Sequence, residues 1–111
     1  MEIKQELKGK VVILSLAGRL DTLNFPLPDN EMTSLLGKNH KDILLDCTDM
    51  DYVSSSGLRI LLKALKQVKA AGGKLMLCCL QPQIIQVFKI SGFDHLFEIS
   101  SDKNQAIASF N

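Results

Sequence analysis

Two hydrophobic rhythms run along the chain, and the switches between them predict its elements. Residues 2–8 alternate through Ile3, Gln5 and Leu7 like an edge strand, and Gly9-Lys10 is a tight-turn signal. Residues 11–17, VVILSLA, are more hydrophobic and predict an antiparallel partner nearer the sheet centre, ended by Gly18-Arg19-Leu20-Asp21-Thr22. Pro26 and Pro28 bar a continuous helix but suit a first turn; Leu27, Met32, Leu35 and Leu36 then give an approximate helical stripe that stops at Gly37.

The central stretch, residues 41–73, carries the most information. Residues 42–46 are a short apolar run between aspartates, the pattern of a strand covered on both faces. Residues 47–55 read as an acidic, serine-rich loop. In the helix that follows, Leu58, Leu61, Leu62, Leu65 and Val68 form one stripe, with Arg59, Lys63, Lys66 and Lys69 on or near the other side and Gly72-Gly73 as the stop. Residues 74–80 predict another buried strand. Gln81-Pro82 opens a helix with Ile84, Ile85, Val87 and Phe88 inward, closed by Ser91-Gly92. Residues 97–99 are a short last strand, and Ser100, Ser101 or Asp102 can cap a terminal helix carrying Ala106, Ile107 and Phe110. Two leading strands and then three separated by helices predict an α/β fold, with residues 1–111 as one domain.

Composition narrows the function. With 46% hydrophobic and 23% charged residues the chain is an ordinary globular one, and a net charge of +1 gives no electrostatic case for nucleic acid or a membrane surface. The longest apolar run, residues 75–80, is too short to span a bilayer, and the charged, alternating start MEIKQELKGK is neither a signal peptide nor an anchor, so the expected location is the cytoplasm. Cys47, Cys78 and Cys79 include no CxxC pair, and no histidine stands at metal-ligand spacing. Cys78 and Cys79 lie in the apolar run LMLCCL, where cysteine serves as a small hydrophobe, so no metal or cofactor is expected.

Enzyme motifs are missing: there is no GxGxxG, no GxxxxGK[ST] and no GxSxG, because Ser54-Ser55-Ser56-Gly57 lacks the leading glycine. A serine hydrolase using Ser55 or Ser56 stays open as a rival, since a triad is set by geometry rather than by order. The three serines stand where the helix must start, and a serine there has a structural use: its oxygen accepts from a free backbone N–H of the first turn. Asp21 could likewise only terminate a strand, and the basic helix face could only be solvated.

The stretch DCTDMDYVSSSGL, followed by an apolar-striped helix, resembles the anti-sigma factor antagonists of the STAS domain family, in which a strand ends in Asp and a loop ends Asp-Ser-Ser/Thr-Gly-Leu at a helix start. Gly18-Arg19-Leu20-Asp21 is similar to the family's Gly-x-Leu-Asp, Asn24 to its nearby Asn, and the segment VFKISGF to its late helix-Gly-aromatic segment, so the match runs the whole chain. The resemblance implies a STAS-like mixed β-sheet with helices packed mainly on one side. It implies a non-enzymatic regulator, phosphorylated by an anti-sigma factor with serine kinase activity and restored by a serine phosphatase. Residue by residue, the phosphorylated serine falls on Ser55, with Ser54 and Ser56 as alternatives, and the partner-binding set is Asp21, Asn24, Ser54, Ser55, Ser56, Gly57 and Arg59. The family's Asp before that serine is Ser54 here. A STAS module that binds its partner without phosphorylation is therefore the second reading.

Overall fold

The computed structural model describes residues 1–24 and 26–110. Strand β1 (Glu2–Lys8) turns back at Gly9-Lys10 into β2 (Val11–Leu20), pairing antiparallel from Glu2 opposite Ala17 to Lys8 opposite Val11. Helix α1 (Pro26–Gly37) leads to β3 (Asp42–Val53), α2 (Ser55–Ala70) to β4 (Lys74–Cys78), and α3 (Pro82–Ser91) with the short 3-10 turn Phe93–His95 to β5 (Glu98–Ser100); α4 (Lys103–Ala108) follows. The sheet order is β1-β2-β3-β4-β5, with β2 to β5 all parallel.

A strand order that advances steadily in one direction, with crossovers of one hand, puts every crossover helix on the same face of the sheet. The packing follows that rule. Met32 and Leu35 of α1, the stripe of α2, and Ile84 and Phe88 of α3 meet Val12, Leu14, Leu16, Ile43, Leu45, Leu75 and Leu77 in one core. On the reverse face α4 alone sets Ala106 and Phe110, beyond its last turn, against Val11, Ile13, Leu44, Met76 and Cys78. The expected α/β fold, a mixed sheet with helices mainly on one side, is present.

The largest difference from the sequence reading is at residues 47–53, which are strand rather than loop. Ile43, Leu45 and Cys47 face the helices at the strand period of 2, but the next buried residues, Met50 and Val53, come at steps of 3. The cause is in the register: between Ser15 and Ala17, and again between Gly18 and Arg19, β3 advances one residue more than β2. Each such bulge inserts an extra residue and re-aims the side chains after it. The acidic and polar residues between the buried ones, Thr48, Asp49, Asp51 and Tyr52, face solvent. β2 also runs three residues further than expected, to Leu20, which is fully buried. These two extensions carry β2 and β3 side by side to the serine stretch.

Smaller differences have local causes. β4 ends at Cys78 because Cys79 adopts φ +64. Leu7 is exposed, since β1 lies at the sheet edge. Leu27 is exposed while Pro28 is buried, so α1 presents Pro28, Met32 and Leu35 inward. Gly92, at φ +78, takes the left-handed position after α3, and Asp102 caps α4 by accepting from Asn104 N.

Candidate phosphoacceptor and partner-binding site

The start of α2 is held by the ends of the two strands beside it. Ser54, in extended backbone at φ −89 and ψ 174, is the N-cap: its Oγ accepts from Gly57 N at 3.1 Å. Its own N–H donates to Leu20 O at 3.0 Å, fastening the helix start to the end of β2. Ser54 is thereby committed to the fold, satisfying one of the helix's free donors. Ser55, the first helical residue, is exposed. Ser56 is half-buried, and Thr22 Oγ1 donates to its Oγ at 3.3 Å.

Thr22 belongs to a turn organised by Asp21. Asp21 Oδ1 accepts from Leu23 N at 3.1 Å, Asn24 N at 3.2 Å and Asn24 Nδ2 at 3.1 Å. Arg19 Nε donates to Asp21 Oδ2 at 3.3 Å, and Asn24 Nδ2 also reaches Arg19 O at 3.2 Å. Burial acts to raise the Asp21 pKa, but hydrogen bonds from Arg19, Asn24 and Leu23 and the Arg19 charge outweigh it and hold the carboxyl below its ordinary value. Asp21 and Asn24 are therefore the internal frame of this turn as well as its surface. The turn exposes Leu23, at 87% one of the most exposed large apolar side chains described. The guanidinium of Arg19 lies 4.0 Å from the ring centroid of Tyr52, joining the turn to the last residues of β3.

Six of the seven candidate residues, Asp21, Asn24, Ser54, Ser55, Ser56 and Arg59, thus gather at one end of the sheet with at least part of their surface open. Arg59 stands exposed on the helix one turn beyond Ser55. Gly57 is the exception. It is buried, and a Cβ there would lie 2.5 Å from Leu20 O and 2.9 Å from both Leu20 Cγ and Val53 Cγ2. A close approach that excludes a side chain is already made by this chain's own β2 and β3. Thr22, Leu23 and the Arg19–Tyr52 pair were not among the sequence candidates. Leu23, apolar in an otherwise polar turn, was the one visible signal.

The hydrolase rival fares poorly on geometry. His40 precedes β3 and Ser55 follows it, so a 12-residue strand separates them. His95 lies in the 3-10 turn after α3, its side chain 86% exposed. Neither histidine hydrogen-bonds to a serine of this stretch among the described residues.

The five-stranded sheet with three helices on one face, and a serine-bearing helix start at the end of its central strand, define a class. Residues 2–106 match the STAS domain model, and the chain belongs to the STAS domain family. BtrV of Bordetella bronchiseptica, a proposed anti-sigma factor antagonist, is 32% identical over 110 residues, covering 99% of this chain and 95% of BtrV. The crystal structure of a proposed anti-sigma factor antagonist from Thermotoga maritima superposes with a TM-score of 0.92 at 21% identity, over 97% of this chain and 93% of that one. The Bacillus cell fate determinant SpoIIAA in its phosphorylated form superposes with a TM-score of 0.77 at 19% identity, over 99% of this chain and 100% of that one. At such identities these two structures establish the fold. Among the described residues no helix is long and apolar enough to cross a membrane.

Proposed function

We propose that this chain is an anti-sigma factor antagonist that binds an anti-sigma factor with serine kinase activity while Ser55 is unmodified, and is released when Ser55 is phosphorylated. A serine phosphatase resets it, and sigma-factor-dependent transcription follows the state of the switch. The chain acts as a binding partner rather than as a catalyst. The observation that carries the reading is the division of labour among the three serines. Ser54 caps the helix, Ser56 is half-buried against Thr22, and of the three Ser55 alone is exposed. A kinase reaches Ser55 without disturbing the cap.

The physical consequence of modification favours a switch that keeps the fold. A phosphate on the first helical residue meets the positive end of the helix dipole and nearby N–H groups. It adds about −1.5 to −2 charges to an exposed surface shaped around a neutral hydroxyl. An interaction penalty of only ~3 kcal/mol at the interface weakens binding more than a hundredfold. The partner surface would comprise Ser55, the exposed parts of the Asp21–Asn24 turn with Leu23, and Arg59. The relatives described as anti-sigma factor antagonists support the same partner class.

Ser54 in place of an aspartate gives the second reading, constitutive partner binding without phosphorylation, its specific ground. One experiment separates the two. The chain and its Ser55→Ala variant are incubated with the serine-kinase anti-sigma factor of the same organism and ATP, then analysed by mass spectrometry and by pull-down. Phosphate on the parent with loss of its binding, and no phosphate on Ser55→Ala with binding retained, are expected. An unmodified parent that still binds would establish the constitutive module, and full phosphorylation of Ser55→Ala would move the site to a neighbouring serine.

A further inference from the structure

Spacing along the chain gives the cysteines no ligand partners, but the fold gives two of them a carboxylate. Asp46 in β3 sits directly opposite Cys78 at the end of β4 in the parallel register. One oxygen of Asp46 and the sulfurs of Cys78 and Cys79 all lie within 4.8 Å of one another. Neighbouring residues of a strand point to opposite faces, so adjacent thiols do not ordinarily converge. Here Cys79 has φ +64, a left-handed conformation uncommon for a residue other than glycine, and the chain turns at that point. Cys47, the third cysteine, is buried on the helix-covered face and stands outside the group.

We infer that Asp46, Cys78 and Cys79 form a binding site for a thiophilic divalent cation, zinc being the ion best matched, with solvent as the fourth ligand. Zinc takes sulfur at about 2.3 Å and carboxylate oxygen at about 2.0–2.2 Å in a tetrahedron, which separates two sulfurs by roughly 3.8 Å. The three ligand atoms, all within 4.8 Å of one another, therefore have to close by at most about an ångström to reach that spacing. The carboxylate is already oriented. Asp46 is buried, and its Oδ1 accepts from Thr48 N at 3.1 Å and Thr48 Oγ1 at 2.6 Å, the kind of outer support that metal ligands require. Asp46 and Thr48 also line a cavity of about 140 Å³ rimmed by the exposed side chains of Glu2, Lys4 and Asp49, so the carboxylate corner of the group borders open space.

The charges balance. On binding, each thiol gives up its proton to solvent, two Zn–S bonds and one Zn–O bond form, and two protons leave per ion. Two thiolates and one carboxylate against Zn²⁺ leave a charge of −1, which the ammonium of Lys103, 3.5 Å from Asp46 Oδ2, neutralises. Lys103 need not block the ion. It is 38% exposed and already lies 4.0 Å from Glu6, toward which it can turn. Each thiol must give up its proton to bind the ion, so affinity rises with pH.

The test uses the full chain, reduced. Cobalt(II) should give the visible bands of a tetrahedral thiolate site, and zinc should compete it away at one equivalent per chain. Titration calorimetry in buffers of different ionisation enthalpy should find about two protons released per zinc, as two thiol ligands require. Cys79→Ala and Asp46→Asn should each weaken zinc binding at least tenfold, while a His40→Ala/His95→Ala variant should bind like the parent. Should either ligand variant fail to fold, the parent decides: zinc must protect the part-exposed Cys79 from alkylation by iodoacetamide. Absence of saturable binding, undiminished affinity in Cys79→Ala, loss of binding with the histidines, or no protection from alkylation would each overturn the site.

Discussion

Gly57 offers the sharpest test of how the serine stretch is built. A methyl group at this position would press on Leu20 O at 2.5 Å and on two buried side chains at 2.9 Å. None of these can retreat easily. Leu20 is fully buried, Val53 is nearly so, and Leu20 O already accepts from Ser54 N at 3.0 Å. Overpacking of this kind costs about 1–3 kcal/mol. Weakening the Ser54–Leu20 hydrogen bond adds roughly 0.5–1.5 kcal/mol. Alanine recovers at most ~1 kcal/mol through its better helix propensity. Gly57→Ala should therefore lose about 2 kcal/mol, which for a chain of this length lowers the melting temperature by roughly 5–10 °C. Gly57→Val, with two further methyl carbons, should lose more. Urea and thermal melts followed by circular dichroism measure both, and calorimetric titration against the partner at low temperature, where Gly57→Ala is folded, measures binding. Near-parental stability combined with lost binding would refute the packing account and return Gly57 to the interface.

Three other outcomes follow from the same contacts. Ser54→Ala should cost about 1 kcal/mol in urea unfolding through loss of the N-cap, whereas Ser55→Ala should leave stability unchanged. Ser55→Asp should keep the parent's circular dichroism and melting temperature yet bind the partner at least tenfold more weakly, about 1.4 kcal/mol by calorimetric titration. Because the folded-state pKa of Asp21 is depressed, its stabilisation of the turn is present above the ordinary carboxylate pKa and is lost as pH falls through the lowered one. Asp21→Asn should abolish that acid-side component, read as reduced pH dependence of amide exchange at Leu23 and Asn24.

What was legible depended on whether a residue's neighbours were local. The stripe from Leu58 to Val68 and the Gly92 stop were readable because helix periodicity and capping act within a few residues. The end of β3 was not readable. Its buried residues Cys47, Met50 and Val53 fall at steps of 3, and only the register against β2 shows that two bulges produce this. The packing at Gly57 was hidden for a related reason. The atoms that forbid a side chain there belong to Leu20 and Val53, and Leu20 is distant in sequence. The Thr22–Ser56 contact and the Asp46–Cys78–Cys79 group also join residues from separate elements, and their meeting is a property of strand order. The family resemblance pointed to residues that meet at one end of the sheet, but how the three serines differ in their contacts needed coordinates.

The bulged end of β3 also bears on how the switch can work. Because β2 and β3 continue together past the central sheet, the serines stand on a platform whose buried side includes Leu20, Met50, Val53 and Leu58. The platform grips the helix start at two points, the Ser54–Leu20 hydrogen bond and the Gly57 packing. A charge added at Ser55 acts on neither directly, since Ser55 is exposed while the apolar stripe of α2 is buried against the sheet. Helical stability comes chiefly from such a stripe, so the modified loop has little reason to rearrange. The discriminating quantity is then the salt dependence of the lost affinity. Charge repulsion at an exposed site is screened beyond roughly 10 Å at 0.1 M salt, whereas bulk in a closely fitted surface is not. If added salt restores much of the binding of Ser55→Asp, repulsion governs the switch; if it restores none, the switch is steric. In either case the proposed switch would leave the anchored helix start in place and act through the exposed surface around Ser55.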